Sequence, residues 1–260
     1  MAQNLLDFLD AEVKAGRIPP NLLPLQSGVG NVANAVLFGL KEWPTNDLLV
    51  YTEVIQDAIF DLFDSGKLAF ASGTSLTPSP KCAERIYKKL GCYRERLVLR
   101  PQEISNHPEI IRRLGVIAMN TAVEVDIYGH VNSTMVCGSR MLNGIGGSGD
   151  FTRNAYLSIF LTPSTGKSGK ISKIVPFCSH VDHTEHDVDV IITEHGVADL
   201  RGLSPRERAK EIIVKCSDPD YRESLFDYYR RAERRGGHEP HLLEEAFSWH
   251  LKLMEEGAMR

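Results

Sequence analysis

The sequence predicts an α/β protein: an open, mainly parallel mixed sheet flanked by helices, followed by a C-terminal helical tail. Three observations predict it. Short apolar runs of β type alternate with helical patterns along most of the chain, the order expected of strands joined by crossover helices. Several runs are continuously apolar, as in strands covered on both faces. The helical patterns between them carry readable start and stop signals.

In chain order, residues 5–15 set Leu5, Leu6, Leu9 and Val13 on one face and stop at Gly16, which predicts a helix. A glycine turn, Gln26-Ser27-Gly28-Val29-Gly30-Asn31, leads into a helical pattern over residues 32–40. Leu48–Tyr51 reads as a strand, and residues 54–65 read as a helix ended by Gly66. After a strand at residues 68–71, Ser79-Pro80 opens a helix with proline in its first turn. Residues 97–100, 116–119 and 122–127 read as strands, and Tyr128-Gly129 is placed to join two short antiparallel ones within residues 123–135. The loop at residues 143–150 runs into a helix start at residues 151–154, and residues 158–161, 173–175 and 188–193 complete the strands. Ser204-Pro205-Arg206-Glu207 combines an N-cap, a first-turn proline and a capping-box glutamate, starting a helix that runs to about Cys216. Residues 220–235 and 242–256 are mostly polar helical patterns. From about residue 204 to 260 the chain is therefore expected to be a peripheral tail.

Composition narrows the classes of function. The chain has 260 residues, 42% hydrophobic and 25% charged, enough to bury a core without disulfide or metal, which excludes disordered and fibrous proteins. A net charge of −4 argues against nucleic acid or a membrane surface as partner. No apolar run reaches the ~20 residues of a membrane span. The opening MAQNLLDFLDAEVKAG lacks the basic region and apolar core of a secretory signal. Cys82, Cys92, Cys137, Cys178 and Cys216 are odd in number and form no CxxC pair. That pattern predicts buried, inert thiols in a reducing compartment: the cytoplasm or, in a eukaryote, the mitochondrion.

Two glutamates occupy equivalent local positions. Leu48–Tyr51 passes into Thr52-Glu53, and residues 188–192 pass into Thr193-Glu194, so each carboxylate lies just past the carboxyl end of an apolar strand. Open sheets collect ligands there. Such a carboxylate serves as nucleophile, as general base or as a simple cap. Glycines in residues 143–150 (NGIGGSGD) let backbone N–H groups approach a ligand and face negative charge, as in an oxyanion hole, or they make a plain tight turn. The loop does not fit a dinucleotide fingerprint, and neither glycine turn holds the lysine and hydroxyl of a P-loop. His180, His183 and His186, flanked by Asp182, Glu185 and Asp187, are of zinc- or iron-binding type. Pro176 upstream and the strand just after them argue against one helix presenting all three, so hydrogen bonding within a polar loop is the default. Lys167, Lys170 and Lys173 form a basic cluster, either solvated or phosphate-binding.

Together, Tyr51-Thr52-Glu53-Val54, Ser105-Asn106-His107-Pro108-Glu109, Gly146-Gly147-Ser148-Gly149-Asp150-Phe151 and the run from Thr193-Glu194-His195-Gly196 to Arg201-Gly202 resemble the acetyl-CoA hydrolase/transferase family. The likeness is greatest to its succinyl-CoA:acetate CoA-transferase branch, among the class I CoA-transferases, and runs from about Asn4 to Met254. It covers the family's C-terminal half. Residues 1–260 are accordingly expected to form a single C-terminal domain of CoA-transferase-like fold. The family's N-terminal domain, with its carboxylate-binding arginine, is expected to be absent, and Met1 to start an excised domain or partial gene product.

The resemblance implies an enzyme that moves CoA between succinyl-CoA or acetyl-CoA and acetate or succinate, through a glutamyl-CoA thioester on Glu53. Backbone N–H groups of Val29 and Gly147 would form the oxyanion hole, with Asn106 and Glu194 lining the site. CoA would lie along Leu23, Pro24, Leu25, Gln26 and Ser27 and touch Val123, Gly147 and Lys167. CoA and acyl-CoA would be substrates, with no permanently bound cofactor, no metal, and a homodimer in the full-length form. The alternatives are an acetyl-CoA hydrolase, in which water intercepts the thioester, and a non-catalytic CoA-binding half that needs the missing domain.

Overall fold

A computed structural model describes residues 1–28 and 30–260. The chain divides into two compact units. The first holds residues 2–120 and 150–158; the second holds residues 121–149 and 159–260, with Met1.

In the first unit, α1 (Ala2–Lys14) buries Leu5 and Leu9 and ends at Gly16, whose φ of 70° suits glycine. Five strands follow: β1 (Leu25–Ser27), β2 (Leu48–Tyr51), β3 (Leu68–Gly73), β4 (Leu97–Leu99) and β5 (Ile117–Thr121). They lie in the order β5-β1-β2-β3-β4, and every pairing is parallel. The intervening helices are α2 (Asn31–Gly39), α3 (Asp57–Asp64), α4 (Pro80–Lys88) and α5 (Pro108–Leu114). The Asp57 carboxylate accepts from the N–H and hydroxyl of Ser79, whose own side chain caps α4. Because β5 pairs with β1 on the side away from β2, the direction of winding reverses between them. Their carboxyl ends form the topological switch point.

Two elements depart from the sequence reading. Strand β1 was not anticipated, because Leu25-Gln26-Ser27 is short and has only one apolar residue. Residues 54–65 are not one helix: Val54–Ile55 pairs in parallel with Ser75–Leu76, and α3 starts at Asp57. Gly73 makes that pairing possible, since a Cβ there would stand 2.8 Å from the Ile55 side chain.

In the second unit, β6 (Glu124–Asp126) pairs antiparallel with β7 (Val131–Asn132), as the Tyr128-Gly129 turn predicts. Next in the chain come α6 (Ser148–Asn154), which begins three residues before the expected start and lies mostly in the first unit, then β8 (Leu157–Leu161), whose first two residues belong to that unit, and, in the second unit, the strands β9 (Ile174–Val175), β10 (Val190–Ile192) and β11 (Val197–Asp199). Strand β9 runs parallel to β6, β8 parallel to β10, and β11 antiparallel to β10. The expected mainly parallel, mixed α/β architecture is met.

The C-terminal helices are present, but they are not peripheral. α7 (Pro205–Cys216) opens with the foreseen capping box, and α8 (Pro219–Arg235) is capped by Asp218. Ala209, Ile212, Ile213, Leu225, Tyr229 and Ala232 pack in one core with Val125, Phe160 and Ile191. Their polar appearance comes from the outer faces alone. α9 (Ser248–Glu256) starts later than expected because residues 243–247 are held as turns. The Leu242 N–H donates to the Tyr228 hydroxyl, and the Pro240 carbonyl accepts from Tyr128.

All five cysteines are free. Cys82, Cys178 and Cys216 are buried as expected, and burial pushes the Cys216 thiol up to about 12. Cys92 and Cys137 correct that expectation. Cys92 is exposed on a one-turn helix whose inward position belongs to Tyr93, and Cys137 is half-buried. Among the described residues, no helix is long and apolar enough to cross a membrane.

Candidate active site

Glu53 is half-buried and lies in the kink between β2 and Val54–Ile55, in the first unit. Its backbone is fixed from outside: the N–H groups of Thr74 and Ser75 donate to the Glu53 carbonyl at 2.7 and 3.2 Å. Thr52 ties the kink to β1, donating its hydroxyl to the Ser27 carbonyl at 3.3 Å. Gln56, which the sequence reading missed, reaches the glycine turn beside it. Its amide N–H donates to the Gly28 carbonyl at 3.1 Å, and its Oε1 accepts from the Gly30 N–H at 3.2 Å. Gly30 has φ 110°, a conformation open to glycine. Val29, the expected oxyanion donor between these glycines, lies outside the described residues.

At the switch point, Gln26 and Asn120 exchange two side-chain hydrogen bonds of 3.2 Å, both residues buried. A Cβ on Gly28 would stand 3.1 Å from the Asn120 Oδ1, so a larger residue would push that amide by a few tenths of an ångström. Leu25, Gln26 and Ser27 are buried in β1, which leaves Leu23 and Pro24 as the partly accessible members of the expected CoA-binding stretch. Asn106 is buried and donates its amide to Asp150 at 3.1 Å. An ionised carboxylate only accepts, so this bond sets the amide's orientation and leaves Oδ1 buried without a partner. Asn106 lines a cavity of about 380 Å³ with Gln102, Glu103, His107 and Pro108. Glu53, Asn106, Leu23 and Pro24 thus belong to the first unit.

The remaining candidates belong to the second unit. Gly147 is buried within an otherwise exposed run, residues 141–146. Val123 is half-buried and donates its N–H to the Asn132 carbonyl at 2.8 Å. Lys167 and Lys170 are exposed at the hairpin formed by Thr165–Gly166 and Ile171–Ser172. Lys173 is more enclosed, and burial lowers its pKa. The expected basic cluster therefore occupies two environments. Glu194 sits in the turn between β10 and β11 and accepts from the Ser164 N–H at 2.9 Å and hydroxyl at 2.6 Å. Burial acts to raise its pKa, but these bonds prevail and hold the carboxyl below its ordinary value.

His180, His183 and His186 do not converge. His180 faces Asp182, His183 is buried against Ser148, and His186 faces Glu185. A different histidine gathers carboxylates: the His130 Nδ1 lies 3.0 Å from Asp126, and its Nε2 lies 3.0 Å from Glu185 and 3.8 Å from Glu239. Burial would lower this imidazole's pKa. The hydrogen bond and charge of Asp126, with the charges of Glu239 and Glu185, outweigh it and raise the value to about 9. The imidazolium is therefore itself the cation that these acids surround. From 6.5 to about 9 the difference amounts to about 3 kcal/mol. This stabilisation is complete below pH 6.5 and is lost as pH rises through about 9. Urea unfolding from pH 6 to 10 should show the decline, and His130→Gln should flatten it. An equal decline in the variant would refute the assignment.

Residues 83–229 match the acetyl-CoA hydrolase/transferase C-terminal domain. Over its whole length the chain is 59% identical to the succinyl-CoA:acetate CoA-transferase of Clostridium kluyveri, covering 48% of that protein. It is 57% identical to the acetyl-CoA hydrolase of Schizosaccharomyces pombe, covering 52% of it. Among solved structures, RipA from Yersinia pestis matches with a TM-score of 0.74 at 30% identity, over 85% of this chain and 52% of that one. The chain spans about half the length of the curated relatives it matches.

Proposed function

The chain belongs to the acetyl-CoA hydrolase/transferase family, and from that premise we propose that it supplies the nucleophile of a CoA-transferase, Glu53. The Glu53 carboxylate attacks the thioester carbonyl of acetyl-CoA or succinyl-CoA. The C–S bond breaks, CoA leaves as thiolate, and a mixed anhydride remains. The thiolate then attacks the glutamyl carbonyl, breaking the anhydride C–O bond. This releases acetate or succinate and leaves a glutamyl-CoA thioester. An incoming carboxylate reverses both steps. Covalent capture divides one difficult acyl exchange into two easier ones and conserves the activated acyl group.

The observation that carries this reading is the setting of Glu53: past the carboxyl end of β2, on a backbone clamped by Thr74 and Ser75 and braced by Gln56 against the neighbouring glycine turn. Gly147 and Val29 are the proposed N–H donors to the oxyanion, each worth about 3–4 kcal/mol in comparable sites. Asn106 and Glu194 are proposed to line the site, with Leu23, Pro24, Val123 and Lys167 along the CoA. The remaining half of the relatives' length is the proposed partner domain.

The hydrolase name of the relative from Schizosaccharomyces pombe favours a second reading, in which water replaces the acceptor carboxylate. Thiol release that does not depend on added acetate or succinate would select it. The test common to both is intact-protein mass spectrometry after incubation with acetyl-CoA or succinyl-CoA, followed by peptide mapping. The expected result is one CoA-sized adduct on the peptide that contains Glu53. No adduct, or an adduct elsewhere, overturns the proposal.

A further inference from the structure

The histidine-rich segment is of metal-binding type in composition, but its central member is hydrogen-bonded, in line with the default reading of that loop. The His183 Nε2 lies 2.9 Å from the Ser148 hydroxyl, and the residue is 4% exposed. Its ring has little freedom. The His183 N–H donates to the Val131 carbonyl at 3.0 Å, its carbonyl accepts from the Val131 N–H at 2.8 Å, and the ring lies 5.0 Å from that of Phe160. Ser148 in turn closes a tight turn, donating its N–H to the Ile145 carbonyl at 3.3 Å, with Gly146 and Gly147 as the central residues. Gly146 adopts φ 55°, and neither glycine has a side chain to anchor it. The turn is thus fastened at its far end by a hydroxyl on a buried imidazole that packs on Phe160 and whose own main chain is bonded twice to Val131.

We propose that His183 is a positioning residue: by holding Ser148 it fixes the direction of the Gly147 N–H. The inference rests on the reading of Gly147 as an oxyanion donor. Such a donor acts on charge that develops only in the transition state, so misdirecting it lowers kcat while leaving binding of the acyl-CoA nearly unchanged. A residue that merely stabilises the fold would lower the unfolding temperature and leave kcat per folded molecule intact.

The test measures kcat, KM and the rate of Glu53 adduct formation in the whole protein for Ser148→Ala, His183→Phe, the double variant and His183→Gln. Ser148→Ala should lower kcat and the adduct rate together by about 10-fold, with KM for acyl-CoA changed less than about twofold. The double variant should be no worse than the poorer single one, because both remove the same contact. His183→Gln, which keeps a hydrogen-bonding group within reach of Ser148, should recover most of the rate. An unchanged adduct rate in Ser148→Ala, or losses that multiply in the double variant, would overturn the inference while leaving the Glu53 reading in place. Absence of an adduct in the unaltered protein would overturn the Glu53 reading itself, and this inference with it.

Discussion

Glu53→Gln is expected to abolish the CoA adduct and to reduce turnover by about 10⁴-fold or more, as loss of a covalent nucleophile does elsewhere. Glutamine matches glutamate in size, but its neutral amide cannot attack a thioester. Main-chain contacts hold this position: the Glu53 carbonyl accepts from Thr74 and Ser75, and Val54–Ile55 pairs with Ser75–Leu76. The substitution leaves these intact, so the variant should unfold with the same cooperativity as the unaltered protein. Glu53→Asp separates chemistry from placement. It keeps the charge, withdraws it by one methylene, and should lose about 10²-fold, the usual consequence of moving a reacting atom by about 1 Å. A glutamine variant that still acquired the adduct would exclude Glu53 as the nucleophile.

The largest stability effect is expected at Asp126. Its carboxylate is fully buried and accepts from the N–H groups of Tyr128, Gly129 and His130 at 3.0, 3.1 and 3.0 Å, as well as from the His130 ring. Asp126→Ala leaves the N–H groups of Tyr128 and His130 unmet, while Gly129 keeps its bond to the main-chain carbonyl of residue 126, and takes from the imidazolium one of its two nearest counter-charges. The loss should be about 3–5 kcal/mol, read as a lower urea midpoint at pH 7. Asp126→Asn retains one accepting oxygen and should lose less. A loss below about 1 kcal/mol for the alanine variant would mean that the turn is held by its strands alone.

Much of the fold was legible because the apolar runs at Leu48–Tyr51 and Val190–Ile192 are strands covered on both faces, whose composition admits little else. Strand β1 escaped because Gln26 is there for a partner 94 residues away, the amide of Asn120, and no local pattern encodes that. The tail helices look peripheral in sequence because the nine charged side chains of α8 hide the stripe made by Leu225, Tyr229 and Ala232. In the candidate site, the location of Glu53 could be read from its strand. Its supports could not. Gln56 against Gly28 and Gly30, Asp150 against Asn106, and His183 against Ser148 are unions of distant residues, each unremarkable where it stands in the chain.

The buried faces of α7 and α8 also bear on how this protein can be divided. The match to the family's C-terminal domain, residues 83–229, begins inside α4, past its capping Ser79, and stops inside α8 at Tyr229. Ala232 and Leu242 lie beyond that limit, yet they belong to the same core as Phe160 and Ile191. The borders of that match and the borders of what must be present for the chain to hold together therefore differ. A fragment trimmed to the first would bare the apolar interior of the second.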